Sequence, residues 1–435
     1  MLFLALVAEP PVMYEGKLWT PARLFGWFTF ISPIKLSPFE MLCIVLLIVC
    51  ARKQRAGIAR PVVKTIYLSV ATVVFSAIYG LSRGGLLQPI YTQTHMWLFA
   101  LVFALTAMSA LTTAADFRRL SDAIVYAAIW RSCTALTFYM MVRGSWPMPQ
   151  VMTTHDDSVL FVAGILILVS RAIEHRTRRT LNRVFLATPL ILLGIVVNNR
   201  RLAWSGLAGG MLIVYFMLPA KSVVTRRLNS YLRAASPILA IYVIVGWGRP
   251  EPVFKPLSAF ASMGSANAGG KFDPSTKARD NENIGMVIMV EQRPLLGTGL
   301  GHEFLEVDSS FSVPRSVYPM YYFSPHNSVL AVLAFYGSLG FAGLWLILPL
   351  SVYFNARTYR VSQSPVERSV AVTGIVHAWL YFNQAFGDMG LTYLTPAVIA
   401  GAGIAASARL VVSSGAWPAT SSKRATRRLA NSTAG

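Results

Sequence analysis

Apolar runs and short polar connections alternate along the whole chain, and the runs are long. Residues 84–115, 316–356 and 389–408 each pass without a single Asp, Glu, Lys or Arg. About 20 such residues in helical geometry cross the roughly 30 Å of hydrocarbon in a bilayer. Backbone groups have no water to bond with there, so each run is read as a helix. Spans fall near 18–35, 38–51, 62–81, 95–113, 122–142, 158–171, 183–198, 202–219, 234–248, 327–354, 369–386 and 391–410. The pattern therefore predicts an all-α polytopic membrane protein with about 12 transmembrane helices.

Charge placement orients these spans. Cations cluster in every second connection: Arg52, Lys53, Arg55, Arg60 and Lys64; Arg118 and Arg119; Arg171, Arg176, Arg178, Arg179 and Arg183. The series continues with Lys221, Arg226, Arg227 and Arg233, then Arg357, Arg360 and Arg368, and closes with Lys423, Arg424, Arg427 and Arg428. Short basic loops stay cytoplasmic, so both termini are expected on that side. The connections 82–94, 143–157, 249–326 and 387–390 carry few or balanced charges and are expected outside, on the periplasmic or extracellular face.

One external connection is far longer than the others. Residues 249–326 hold seven Lys or Arg against eight Asp or Glu, unlike any cytoplasmic loop, and loops of such length are usually functional. Pro250, Pro252 and Pro256 break regular structure, 264–270 reads as flexible, and a short amphipathic helix follows with Ile284, Val287 and Ile288 on one face. Residues 294–301 make a glycine-rich turn. The chain thus divides into helices 1–9 over 1–248, a long external loop over 249–326, helices 10–12 over 327–412, and a disordered tail over 413–435.

Composition narrows the function. With 54% hydrophobic and 13% charged residues, the 435-residue chain is no string of soluble domains. A net charge of +21 would suit nucleic acid. The cations sit in clusters between apolar spans, without a basic stripe interleaved with aromatics, so no nucleic-acid partner is expected. Cys43, Cys50 and Cys133 lie within spans and read as packing residues. Residues 1–9 are apolar but lack a basic start, and either skim the membrane or begin the first span.

The informative residues are those that break these rules. Arg200 and Arg201 end an outward-going span at the external face, where an anion held by bidentate arginine contacts would explain them, as would snorkelling to lipid head groups. Arg279 precedes the amphipathic helix and is either part of such a site or a solvated loop cation. His326, in Pro325-His326-Asn327 ahead of an apolar span, can exchange a proton near neutral pH, or cap the helix beside Asn327. Arg131 lies mid-span and needs a partner. His377 reads as a bonded core histidine, and His155, Asp156 and Asp157 as the charged start of a span. Asp388 reads as a turn residue. The Gly297-x-Gly299-x-Gly301 run lacks the preceding strand of a nucleotide loop and is taken as a tight turn.

Together these residues resemble the O-antigen ligase and polysaccharide polymerase family of membrane-integral glycosyltransferases. His326-Asn327 followed nine residues later by Gly337-Ser338-Leu339-Gly340 is similar to that family's His-Asn signature. Arg279 with 293–301 resembles its loop, and Asn199-Arg200-Arg201-Leu202-Ala203-Trp204 its Ser-Arg-Gly-Ala-Trp segment, with Arg201 in register. The resemblance implies a glycan donor on undecaprenyl diphosphate at the periplasmic face of a bacterial inner membrane, and either lipid A-core or a lipid-linked repeat unit as acceptor. It implies His326 as the catalytic residue, Asn327 in support, Arg200, Arg201 and Arg279 on the diphosphate, and neither metal nor cofactor. A secondary transporter or flippase of lipid-linked glycans shares the helix count, but would line the midplane with polar groups in repeated halves.

Overall fold

The computed structural model describes residues 1–8, 28–31, 34–51, 57–144, 152–249, 251–261, 274–308, 315–316 and 319–418. Its helices are α1 (Leu2–Ala8), α2 (Pro38–Ala51), α3 (Arg60–Ser82), α4 (Leu87–Ala110), α5 (Ala114–Val142), α6 (Asp157–Glu174), α7 (Arg178–Asn198) and α8 (Arg201–Met217). There follow α9 (Val223–Gly246), α10 (Lys255–Ala261), α11 (Pro274–Gln292), α12 (Ser328–Trp345), α13 (Ile347–Val361), α14 (Pro365–Gly387) and α15 (Leu394–Ser413). Among the described residues, six helical stretches are long and apolar enough to cross a membrane: α3, α4, α7, α9, the continuous pair α12–α13, and α15.

The layering is that of a bundle in an apolar solvent. α6, α14 and α15 form the centre, and nearly every residue of α15 from Thr395 to Val411 is buried. Its run of Ala and Gly lets neighbouring backbones approach, the usual basis of packing where lipid removes any hydrophobic drive between helices. α4 and α13 pack against α15, and α8 and α13 against α14. The outer helices turn large apolar side chains outward: Phe185 is 81% exposed, Phe216 77% and Ile244 78%. In α9 only Thr225 and Gly246 are buried. An apolar exterior around a small-residue core makes this a multi-pass membrane protein.

The structure corrects two of the expected spans. The described part of the first, 18–35, is an antiparallel pair of short strands, β1 (Phe28–Ile31) and β2 (Ile34–Leu36), not helix; the rest of it lies outside the described residues. The span expected at 234–248 begins at Val223, because Ser222 caps a basic first segment by accepting the amide of Thr225 at 3.1 Å. The amphipathic helix is present as α11, but its inward face is the other one. Glu282, Met286 and Met289 are buried, while Ile284 and Val287 are half-exposed. The cluster at 52–55, residues 264–270 and the tail beyond 418 lie outside the described residues.

The glycine-rich turn fills a break in α12. At Gly337 the chain adopts φ 68° and ψ −178°, which no helix permits. The amides of Ser338 and Leu339 lose their helical acceptors and donate to the carbonyls of Pro294 (2.8 Å) and Leu295 (3.2 Å). The carbonyls so released, those of Ala334 and Phe335, accept from Thr298 and Gly299, both at 2.9 Å. Two helical hydrogen bonds are exchanged for four to the loop. Leu300 donates to Ser76 of α3 at 3.2 Å, which carries the turn on between α3 and α12.

A Cβ at Gly337 would lie 2.2 Å from the carbonyl oxygen of Leu295, with a left-handed φ besides. Gly337→Ala is therefore expected to lower stability by about 2 kcal/mol or more. Gly84→Ala, left-handed at φ 88° but with nothing within 4 Å of its Cβ position, should cost about 1 kcal/mol through strain alone. Thermal unfolding of the purified protein in detergent compares the two directly; equal midpoints would refute the packing argument.

Candidate active site

His326 sits where the long loop meets α12. Asn327 is the N-cap of that helix, its side-chain oxygen accepting the Leu330 amide at 3.1 Å, so the residue before it is held at a fixed angle. α11 packs against α12 and places Glu282 under the histidine. The Glu282 carboxylate, 3% exposed, accepts three donors. The backbone N–H of His326 lies 3.0 Å from Oε2, ring Nδ1 lies 3.0 and 3.1 Å from the two oxygens, and the Tyr321 hydroxyl donates to Oε1.

This arrangement fixes the charge of Glu282 and the orientation of the ring. Burial pushes the Glu282 carboxyl up, but the hydrogen bonds and charge of His326 and the hydrogen bond from Tyr321 outweigh it and hold the group below its ordinary range. An ionised carboxylate can only accept, so Nδ1 is a protonated nitrogen, and in the neutral form of the ring the lone pair is on Nε2. The imidazole is about a quarter exposed, and the pair with Glu282 sets its orientation. Its ring meets that of Tyr321 edge to face at 6.2 Å. Beside Pro325 a cavity opens between α4, α12 and the glycine-rich turn, lined mainly by Leu300, Phe323, Val332, Phe335 and Tyr336.

Arg279 stands three residues before Glu282, one turn away on α11. Its Nη1 reaches the carbonyl of Gly387 at 3.4 Å, and its buried Nε has no partner among the described residues. Arg200 is the N-cap of α8, set by a left-handed Asn199 (φ 52°) that ends α7. Its Nε is likewise buried and unpartnered among the described residues. Burial holds the Arg200 guanidinium below its ordinary range; Asp388, Tyr393 and Asp156 act against that, while the positive charge of Arg279 adds to it. Each of the two guanidiniums thus keeps a buried Nε free of partners among the described residues, a donor that suits an oxyanion. Arg201, the first residue of α8, is half-buried and engaged in an interaction of its own.

Two residues read from sequence as ordinary join this group. Asp388, 1% exposed, pairs with Nδ1 of His155 and accepts from the Met389 amide at 2.9 Å and Gln384 Nε2 at 3.3 Å. Burial raises its carboxyl, but His155, by hydrogen bond and charge, and then His326 and the Met389 amide hold it low. His155 is stacked on Tyr393 at 6.2 Å. Arg131, by contrast, is accounted for by packing, with Nε and Nη2 each 2.7 Å from an oxygen of buried Asp157. His377 is buried in α14 as expected, yet neither ring nitrogen has a hydrogen-bond partner among the described residues. No cluster of three or more His, Cys, Asp or Glu that could hold a metal occurs among them.

Glu282 is not evident from the sequence, because the apolar face of α11 is its stronger signal. The available signal was the stripe Glu282, Met286, Met289, an acidic side chain in phase with two buried methionines one turn after Arg279. The pairing of His155 with Asp388 joins residues 233 positions apart, and no local pattern announces it.

No curated protein matches the chain. The matching family model, described as O-antigen ligase, runs from within α7 to the end of α12 and takes in Arg200, Arg201, Arg279, Glu282, His326 and Asn327, though not His155 or Asp388. That match, over residues 185–345, places this region of the chain in an O-antigen ligase-like family.

Proposed function

We propose that the protein transfers a glycan from undecaprenyl diphosphate to an acceptor hydroxyl at the periplasmic face of a bacterial inner membrane. The acceptor is lipid A-core in a ligase or a second lipid-linked repeat unit in a polymerase. The reading rests above all on His326, whose Nδ1 is bound to a buried, ionised Glu282 so that Nε2 is a base. Nε2 takes the proton of the acceptor hydroxyl while its oxygen attacks the anomeric carbon. The bond from that carbon to the diphosphate oxygen breaks, and undecaprenyl diphosphate leaves with the bonding pair. Arg279 and the Arg200–Arg201 junction hold the negative charge that builds on it.

Purified protein in nanodiscs, given a lipid-linked glycan and each acceptor separately, tests the proposal. His326→Ala should slow transfer about 10²-fold or more. Glu282→Gln should come close to it, because a glutamine amide donates to Nδ1 and moves the proton to Nε2, where it abolishes the base. Full activity in both variants would remove the assigned mechanism.

The arginines give a separate expectation. Arg279→Ala, and the double change Arg200→Ala with Arg201→Ala, should each lower the transfer rate about 10²- to 10³-fold, as loss of a donor to a developing anion does. Wild-type rates and donor affinity in both would dismiss the diphosphate site.

The depressed Glu282 carboxyl also sets a pH window for stability. A folded-state value below the ordinary 4.5 means that its contribution is present above about pH 4.5 and is lost as pH falls below it. The thermal midpoint of the wild type should therefore drop on acidification through that window, and by less in Glu282→Gln. Parallel curves for the two proteins would contradict the assignment.

A further inference from the structure

The bundle carries a second polar pocket at the end of α6 opposite the His326 site. Asp157 opens α6 beside His155, and Arg171 lies 14 residues on, about 21 Å along the helix. There α5, α6 and α7 enclose a cavity whose polar rim is Arg118, Asp122, Arg171, Thr180 and Arg183. Asp122 is the sole carboxylate of that lining, and it is taken by buried Arg171, whose Nη2 also reaches the carbonyl of Arg118 at 2.7 Å. Arg118 and Arg183 are half-buried and have no carboxylate partner among the described residues, so the rim is left with two uncompensated positive charges.

The wall of the cavity is apolar: Val125 and Ile129 from α5, Leu168 from α6 and Leu186 from α7. Leu186 is 75% exposed on the lipid-facing side of α7, so the cavity opens sideways toward the membrane. A ring of cations above an apolar slot between helices is the shape of a phospholipid: head group at the rim, first methylenes of an acyl chain against the wall. We propose that this cavity binds an anionic phospholipid in the leaflet opposite the His326 site. Charge complementarity selects that occupant, since a zwitterionic head group brings its own cation to a rim already holding two in excess.

The site is independent of glycosyl transfer and is tested by binding. The full chain, purified in detergent, is titrated with phosphatidylglycerol or phosphatidylcholine and bound lipid is counted by native mass spectrometry. Wild-type protein and His326→Ala should both retain phosphatidylglycerol in preference to phosphatidylcholine. Arg118→Gln with Arg183→Gln should weaken phosphatidylglycerol about 25-fold, about five-fold per arginine, and leave phosphatidylcholine unchanged. Arg171 is left intact because its pair with Asp122 joins α5 to α6. Circular dichroism checks that the variant keeps its helices; should it lose them, Leu186→Trp, which fills the slot from its lipid side, must displace phosphatidylglycerol instead. Equal retention of the two lipids by wild type, undiminished phosphatidylglycerol binding in a folded double variant, or displacement by inorganic phosphate alone would overturn the proposal.

Discussion

Everything around His326 depends on how α12 is broken. A helix interrupted inside a membrane leaves carbonyls and amides that nothing apolar can satisfy, at several kcal/mol each. Here the loop 294–299 supplies four matching groups, so that the break at Gly337 becomes a splice between loop and helix. The splice pins the C-terminal end of α11 against the middle of α12. That junction determines where Glu282 can reach, and the N-cap at Asn327 determines where His326 stands. An uninterrupted α12 would have no reason to hold the loop, and the carboxylate and imidazole would have no common anchor.

The electrostatic plan of the site follows from this placement. Burial and the positive charge of Arg279 weigh on the Arg200 guanidinium, and Asp388 with Tyr393 and Asp156 offsets only part of that cost. Each arginine retains a buried Nε without a partner among the described residues. Buried guanidinium donors of this kind suit an anion, which would offset the cost of burying them. Arg131 shows the opposite solution, a cation fully matched by Asp157 in bidentate geometry and thus given over to holding α5 and α6 together.

Much of this architecture is legible in the chain itself. The helices α2 through α8 and α12 through α15 lie within several residues of the apolar runs, because a 30 Å apolar slab leaves few alternatives to helix. Arg200, Arg201, Arg279 and His326 stand out in the sequence by violating topology or by position. What stayed hidden depends on contacts across the fold. The inward face of α11 is chosen by what packs on it, and its Met286 and Met289 win over Ile284 and Val287, whose exposed side suits lipid as well as a core. The same holds for His155 and Asp388, each unremarkable until the bundle closes and brings them together.

The carboxylate of Glu282 grips His326 twice, once by the ring and once by the main-chain N–H. Chemistry and architecture are therefore separable at position 326, where any amino acid except proline still offers the main-chain half of the grip. At position 282 they are one and the same. An evolutionary drift that altered the reaction while keeping the loop docked has a route through the histidine and none through the glutamate.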